Sequence, residues 1–144
     1  MNLSEILPSL LRTAGAGLIL LALMHVPISR KLHWREQAAR MSPENEAVFH
    51  VHTFFLCLAL VLMGLPALLD PSIFLEKSHA AAWGTWSLSG FWLIRLWCQW
   101  FTYSPQLWRG KRLETGIHWL FTVLWTLLST VFGLCGAVQL GWLS

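Results

Sequence analysis

The charged residues of this chain fall into blocks separated by long gaps. No Asp, Glu, Lys or Arg occurs from Thr13 to Ser29, from Ala47 to Leu69, or from Thr115 to Ser144. A fourth apolar stretch, from Ala80 to Trp108, is broken only by Arg95. A spanning helix takes roughly 20 mostly apolar residues, and an open strand cannot satisfy its backbone in lipid. The pattern therefore predicts an all-α integral membrane protein, a four-transmembrane-helix bundle in one domain over residues 1–144. Its helices are expected at about 7–28, 46–69, 80–103 and 115–141.

Local signals mark some of the ends. Ser42 is a good N-cap, Pro43 suits the first helical position, and Glu44 suits the positive end of the helix dipole. Pro66 and the Asp70-Pro71 pair mark the far end of that helix, and Ser78 is placed to cap the next. Ala14, Gly15, Ala16 and Gly17 in the first helix, and Gly133, Gly136 and Ala137 in the fourth, read as close-packing surfaces.

Composition agrees with a membrane setting. The chain is 56% hydrophobic and 12% charged, against about 25% charged in a soluble domain, so lipid must cover what polar surface cannot. The basic residues orient it. Arg30, Lys31, Arg35 and Arg40 fill the first loop and Arg109, Lys111 and Arg112 the third, whereas the other ends hold only Arg12 and Lys77. The positive-inside rule makes the first and third loops cytoplasmic and both termini non-cytoplasmic. The net charge of +3 is then a topology signal and calls for no nucleic acid. Trp34, Trp83, Trp100, Trp108 and Trp142 fall near predicted helix ends, where indoles favour the interface. The apolar run after Arg12 continues to Met24 without a clear cleavage motif, so the first helix is expected to stay. A bacterial inner membrane is the default location. Cys57, Cys98 and Cys135 lie in three different helices without metal-knuckle spacing and read as buried free thiols.

On this topology the polar residues within the helices collect at one depth. His25 is near the cytoplasmic end of the first helix, His50 and His52 near the start of the second, and His118 near the start of the fourth. Gln99 and Tyr103 lie near the cytoplasmic end of the third, with Arg95 about one turn deeper. A charge at that depth calls for a partner, a ligand or water. Arg95, Gln99 and Tyr103 at i, i+4, i+8 share a slowly drifting face, as do Glu46 with His50 and Glu114 with His118. His52 is rotated about 200° from His50, and His50 is preferred because Thr53 and Cys57 continue its stripe. His33, in a loop, and His79, beside a helix cap, read as structural.

Two metal chemistries fit such a set. In the first, the protein holds haem b near the cytoplasmic face and passes electrons between other membrane redox subunits and a carrier such as quinone. His50 and His118 are then the axial ligands with His25 as substitute, Arg95 meets a propionate, and Gln99 and Tyr103 hydrogen-bond haem or quinone. In the second, Glu46, His50, Glu114, His118 and His25 hold iron, manganese or zinc in an enzyme acting on a lipid or isoprenoid. The spacing departs by one residue from the Glu-x-x-His of di-metal bundles. A structural or assembly subunit of a larger membrane complex would need no cofactor.

Overall fold

The computed structural model describes residues 3–143. Every regular element among them is helical: α1 (Leu3–Lys31), α2 (Trp34–Ala38), α3 (Pro43–Leu69), α4 (His79–Phe101) and α5 (Arg112–Gln139), with 3₁₀ turns at Pro71–Phe74 and Pro105–Leu107. Three stretches are long and apolar enough to cross a bilayer: Glu5–Lys31, Pro43–Leu69 and Arg112–Gln139. The expected fourth span departs from the pattern. α4 has 23 residues, yet it carries Arg95, Gln99, Thr85, Ser89 and five tryptophans, and these bring its hydropathy below that of the others.

The caps behave as their chemistry requires. Ser42 Oγ accepts from the Asn45 amide at 3.5 Å and Ser78 Oγ from the Ala81 amide at 3.1 Å, each satisfying a donor that a helix start leaves open. α2 lies inside the first loop, where no helix is predicted. His33 precedes it with φ 51° and ψ 38°, a left-handed turn that His tolerates better than most residues.

The chain packs as two compact units, Met1–Leu11 with Pro71–Ser144, and Arg12–Asp70. In the Arg12–Asp70 unit, α1 and α3 meet at two glycines. A Cβ on Gly15 would lie 2.6 Å from the Gly64 carbonyl oxygen, and one on Gly64 would lie 2.8 Å from the Gly15 carbonyl oxygen. Leu18, Ala22, Leu60 and Ala67 are buried in this unit. Trp34 lies edge-on to both His25, at 6.3 Å, and Phe49, at 6.0 Å.

In the other unit α4 and α5 pack antiparallel along their length. Ser89 meets Ser129, Trp92 meets Trp125, and Gln99 meets His118. Gly133 and Gly136 allow the approach, since a Cβ there would come within 3.2 Å of Ser89 Oγ and 2.7 Å of Trp86 Nε1 respectively. The Pro71–Phe74 turn closes one end, with the Phe74 ring 5.5 Å from Phe132 and the Phe74 carbonyl accepting from Gln139 Nε2 at 3.0 Å. Leu93, Ile94, Trp97 and Phe101 are exposed on the outer side of α4, an apolar surface suited to lipid.

Candidate functional site

The seam between α4 and α5 is polar along its whole length, but its two halves are satisfied differently. In the half nearer Gln139, each buried polar side chain has a partner. Thr85 Oγ1 donates to Gln139 Oε1 at 2.7 Å, Gln139 Nε2 donates to the Phe74 carbonyl, and Ser89 Oγ donates to the Ser129 carbonyl at 2.8 Å. Ser129 Oγ turns back to the Thr126 carbonyl at 3.0 Å.

In the half nearer Tyr103 the pairing is incomplete. Among the described residues, five buried side-chain nitrogens lack any hydrogen-bond partner: Trp92 Nε1, Arg95 Nη1, Trp108 Nε1, His118 Nε2 and Trp125 Nε1. All five belong to this half of the seam and the loop beside it. Trp92 is 2% exposed and Trp125 and His118 are each 4% exposed, so water does not compensate them. Unpartnered buried donors each cost about 1–3 kcal/mol, and native structures hold few of them.

Their neighbours hold these groups in place. Trp92 and Trp125 stack with centroids 5.1 Å apart and planes 8° apart, and Phe121 stacks on Trp125 at 5.4 Å. Trp108 stacks on His118 at 4.2 Å, while the Thr115 hydroxyl donates to the Trp108 carbonyl at 2.6 Å and anchors that loop. Arg95 extends along α4, its guanidinium 4.9 Å from the Trp125 ring centroid and 5.6 Å from that of Tyr103, with Nη2 donating to the Tyr103 hydroxyl at 3.5 Å.

The Gln99–His118 pair fixes a tautomer. Gln99 Nε2 lies 3.0 Å from His118 Nδ1. The amide can only donate there, so Nδ1 accepts and the ring hydrogen sits on Nε2, the unpartnered atom. In this state His118 Nε2 is a hydrogen-bond donor. Glu114 stays exposed and makes no ion pair with His118, despite sharing the spacing that Glu46 and His50 use.

The remaining predicted residues lie in the Arg12–Asp70 unit. His50 Nε2 is 3.8 Å from Glu46 Oε1, on an exposed part of α3. His25 Nδ1 donates to the Leu21 carbonyl and His52 Nδ1 to the Val48 carbonyl, both at 2.8 Å, which leaves each Nε2 as a free acceptor. Trp34 and Phe49 stand in the ring-contact chain between His25 and His50. Among the described residues, no three His, Cys, Asp or Glu side chains gather closely enough to hold a metal ion. The cysteines are free, with Cys135 buried and Cys57 and Cys98 half-buried.

Of the predicted residues, then, the structure brings Arg95 to Tyr103, Gln99 to His118 and Glu46 to His50. Sequence reasoning missed Trp92, Trp108 and Trp125. The signal for two of them was present: Ser89, Trp92 and Gln99 on α4, and His118, Thr122, Trp125 and Ser129 on α5, recur at helical spacing. No family model, no curated protein and no solved structure matches the chain.

Proposed function

We propose that this is a four-span membrane redox protein, with both termini non-cytoplasmic, that binds a quinone-type ring in the cytoplasmic half of the α4–α5 pair. One observation carries the reading: five unpartnered buried nitrogens run from the middle of the helix pair, at Trp92 and Trp125, to its Tyr103 end and the adjoining loop, whereas the buried polar side chains nearer Gln139 are paired. A quinone supplies what they lack. Its carbonyls accept from indole, imidazole and guanidinium N–H groups, its flat ring suits a surround of stacked aromatic side chains, and its tail belongs in lipid.

The direction in which the polar groups of α4 point supports the four-span reading. Its 23 residues extend about 34 Å, enough to cross the hydrocarbon core. Thr85, Ser89 and Gln99 are buried, while Leu93, Ile94, Trp97 and Phe101 face outward. Polar residues that face the bundle interior are compatible with a span. The basic loops then lie on the cytoplasmic side of what is, by default, a bacterial inner membrane.

Haem b remains a second reading, favoured by His25 and His52, whose tethered Nδ1 atoms leave Nε2 free for iron. It would add a one-electron carrier on the Arg12–Asp70 unit, with His50 as the alternative ligand.

One purified sample in neutral detergent tests both readings. Titration with a short-chain benzoquinone is expected to quench tryptophan fluorescence saturably. His118→Phe, which removes the donor and keeps an aromatic ring, is expected to weaken binding by about tenfold, the equivalent of one 1.4 kcal/mol contact. Linear quenching that is identical in both proteins would sink the quinone site. A Soret band that His25→Ala or His52→Ala abolishes supports haem. A colourless protein from haem-replete cells removes haem and leaves the quinone reading in place.

A further inference from the structure

Arg95 brings a full positive charge into the helix pair, and the protein does not neutralise it. Neither ion pair found among the described residues involves Arg95. Its contacts are the Tyr103 hydroxyl and the π faces of Tyr103 and Trp125. A cation–π contact contributes about 0.5–2 kcal/mol, while an unpaired charge within a membrane costs at least about 2.5–3.5 kcal/mol. Glu114, on the first turn of α5, is exposed and is not paired with it.

The unpartnered atoms of this half of the seam share one chemistry. All five are nitrogens, and among the described residues no buried side-chain oxygen is without a hydrogen-bond partner. Three are indole N–H groups, which can only donate. The fourth is the guanidinium, and the fifth is His118 Nε2, held as N–H by Gln99. A neutral acceptor would satisfy the hydrogen bonds and leave the charge. An anionic oxygen satisfies both, through charge-assisted bonds that are roughly twice as strong as neutral ones.

We propose that this site takes its ligand as an oxygen anion, the head group of an amphiphile whose negative charge faces Arg95. The inference rests on reading the five donors as a ligand site, but not on the ligand being a quinone. An acidic hydroxyquinone, a fatty carboxylate and an alkyl phosphate all carry the required chemistry.

The test compares three probes on the full chain in neutral detergent at mildly alkaline pH, by calorimetry. The first is a 2-hydroxy-3-alkyl-1,4-naphthoquinone, ionised under these conditions. The second is its 2-methoxy ether, equal in ring and tail but neutral. The third is dodecyl phosphate. The hydroxy compound is expected to bind at least about tenfold more tightly than the ether, with dodecyl phosphate competing for the same site. Arg95→Gln is expected to abolish the preference and Arg95→Lys to keep most of it.

Equal affinity for hydroxy and methoxy compounds overturns the anion inference and leaves the quinone site standing. Arg95-dependent binding of dodecyl phosphate without either naphthoquinone supports the anion and removes the quinone. A preference that persists in Arg95→Gln overturns the role given to Arg95. Binding of none of the three removes both proposals. The comparison of hydroxy and methoxy compounds needs no variant, so it stands even where Arg95→Gln fails to fold.

Discussion

At the scale of single residues, His118 is defined by what surrounds it. It is 4% exposed, stacked under Trp108 and approached edge-on by Trp100 at 5.5 Å. Its only hydrogen-bond partner through a ring atom is Gln99, itself 6% exposed. Gln99→Leu keeps most of the volume but strands Nδ1 without a donor. It is expected to destabilise the protein by about 1–3 kcal/mol, seen as a lower thermal midpoint in detergent. A midpoint unchanged from wild type would mean that the pair is not formed. The sequence placed Gln99 and His118 at one depth but could not join them, because depth fixes position along a helix and leaves rotation open. The indole of Trp108 was hidden for another reason. Tryptophan in a membrane sequence reads as an interface anchor, and only packing reveals an indole N–H turned inward without an acceptor.

At the scale of elements, glycines decide how closely the helices approach. Gly15 and Gly64 put the α1 and α3 backbones in contact, whereas Gly17, two residues along, has nothing within 4 Å of where a Cβ would be. Gly64→Val must push α1 away and is expected to cost about 1–3 kcal/mol. Gly17→Ala is expected to stay within about 0.5 kcal/mol of wild type. Thermal unfolding of the two variants side by side checks the contrast, and equal midpoints would contradict the close approach. The small residues of α1 were legible as a packing face from their spacing alone. Gly64 was not, since a lone glycine in an apolar helix has no periodic companions to mark it. The starts of α3 and α4 were legible because Ser42 and Ser78 act through local hydrogen bonds. α2 was not, because five residues are too few to show a helical period.

At the scale of the whole molecule, the number of spans turns on α4, and parity makes it measurable. Three crossings put the termini on opposite sides of the membrane, and four put them on the same side. Hydropathy alone favours three, as Glu5–Lys31, Pro43–Leu69 and Arg112–Gln139 qualify and α4 does not. That average counts Arg95, Gln99, Thr85 and Ser89 as though lipid met them. Instead, Thr85, Ser89 and Gln99 are buried, and Arg95 extends towards Tyr103, just beyond the end of α4. Snorkelling of this kind lowers the cost of a charge within a span. The basic residues agree: Arg109, Lys111 and Arg112 follow α4 as Arg30, Lys31, Arg35 and Arg40 follow the apolar part of α1, and two basic loops share a side only if an even number of helices separates them. Alkaline phosphatase fused after Ser144 is therefore expected to be active and green fluorescent protein at the same position dark, while a reporter inserted near Gly110 gives the reverse. A fluorescent C-terminal fusion together with a non-cytoplasmic N-terminus would put the two termini on opposite sides of the membrane, and α4 would then lie along the membrane rather than through it.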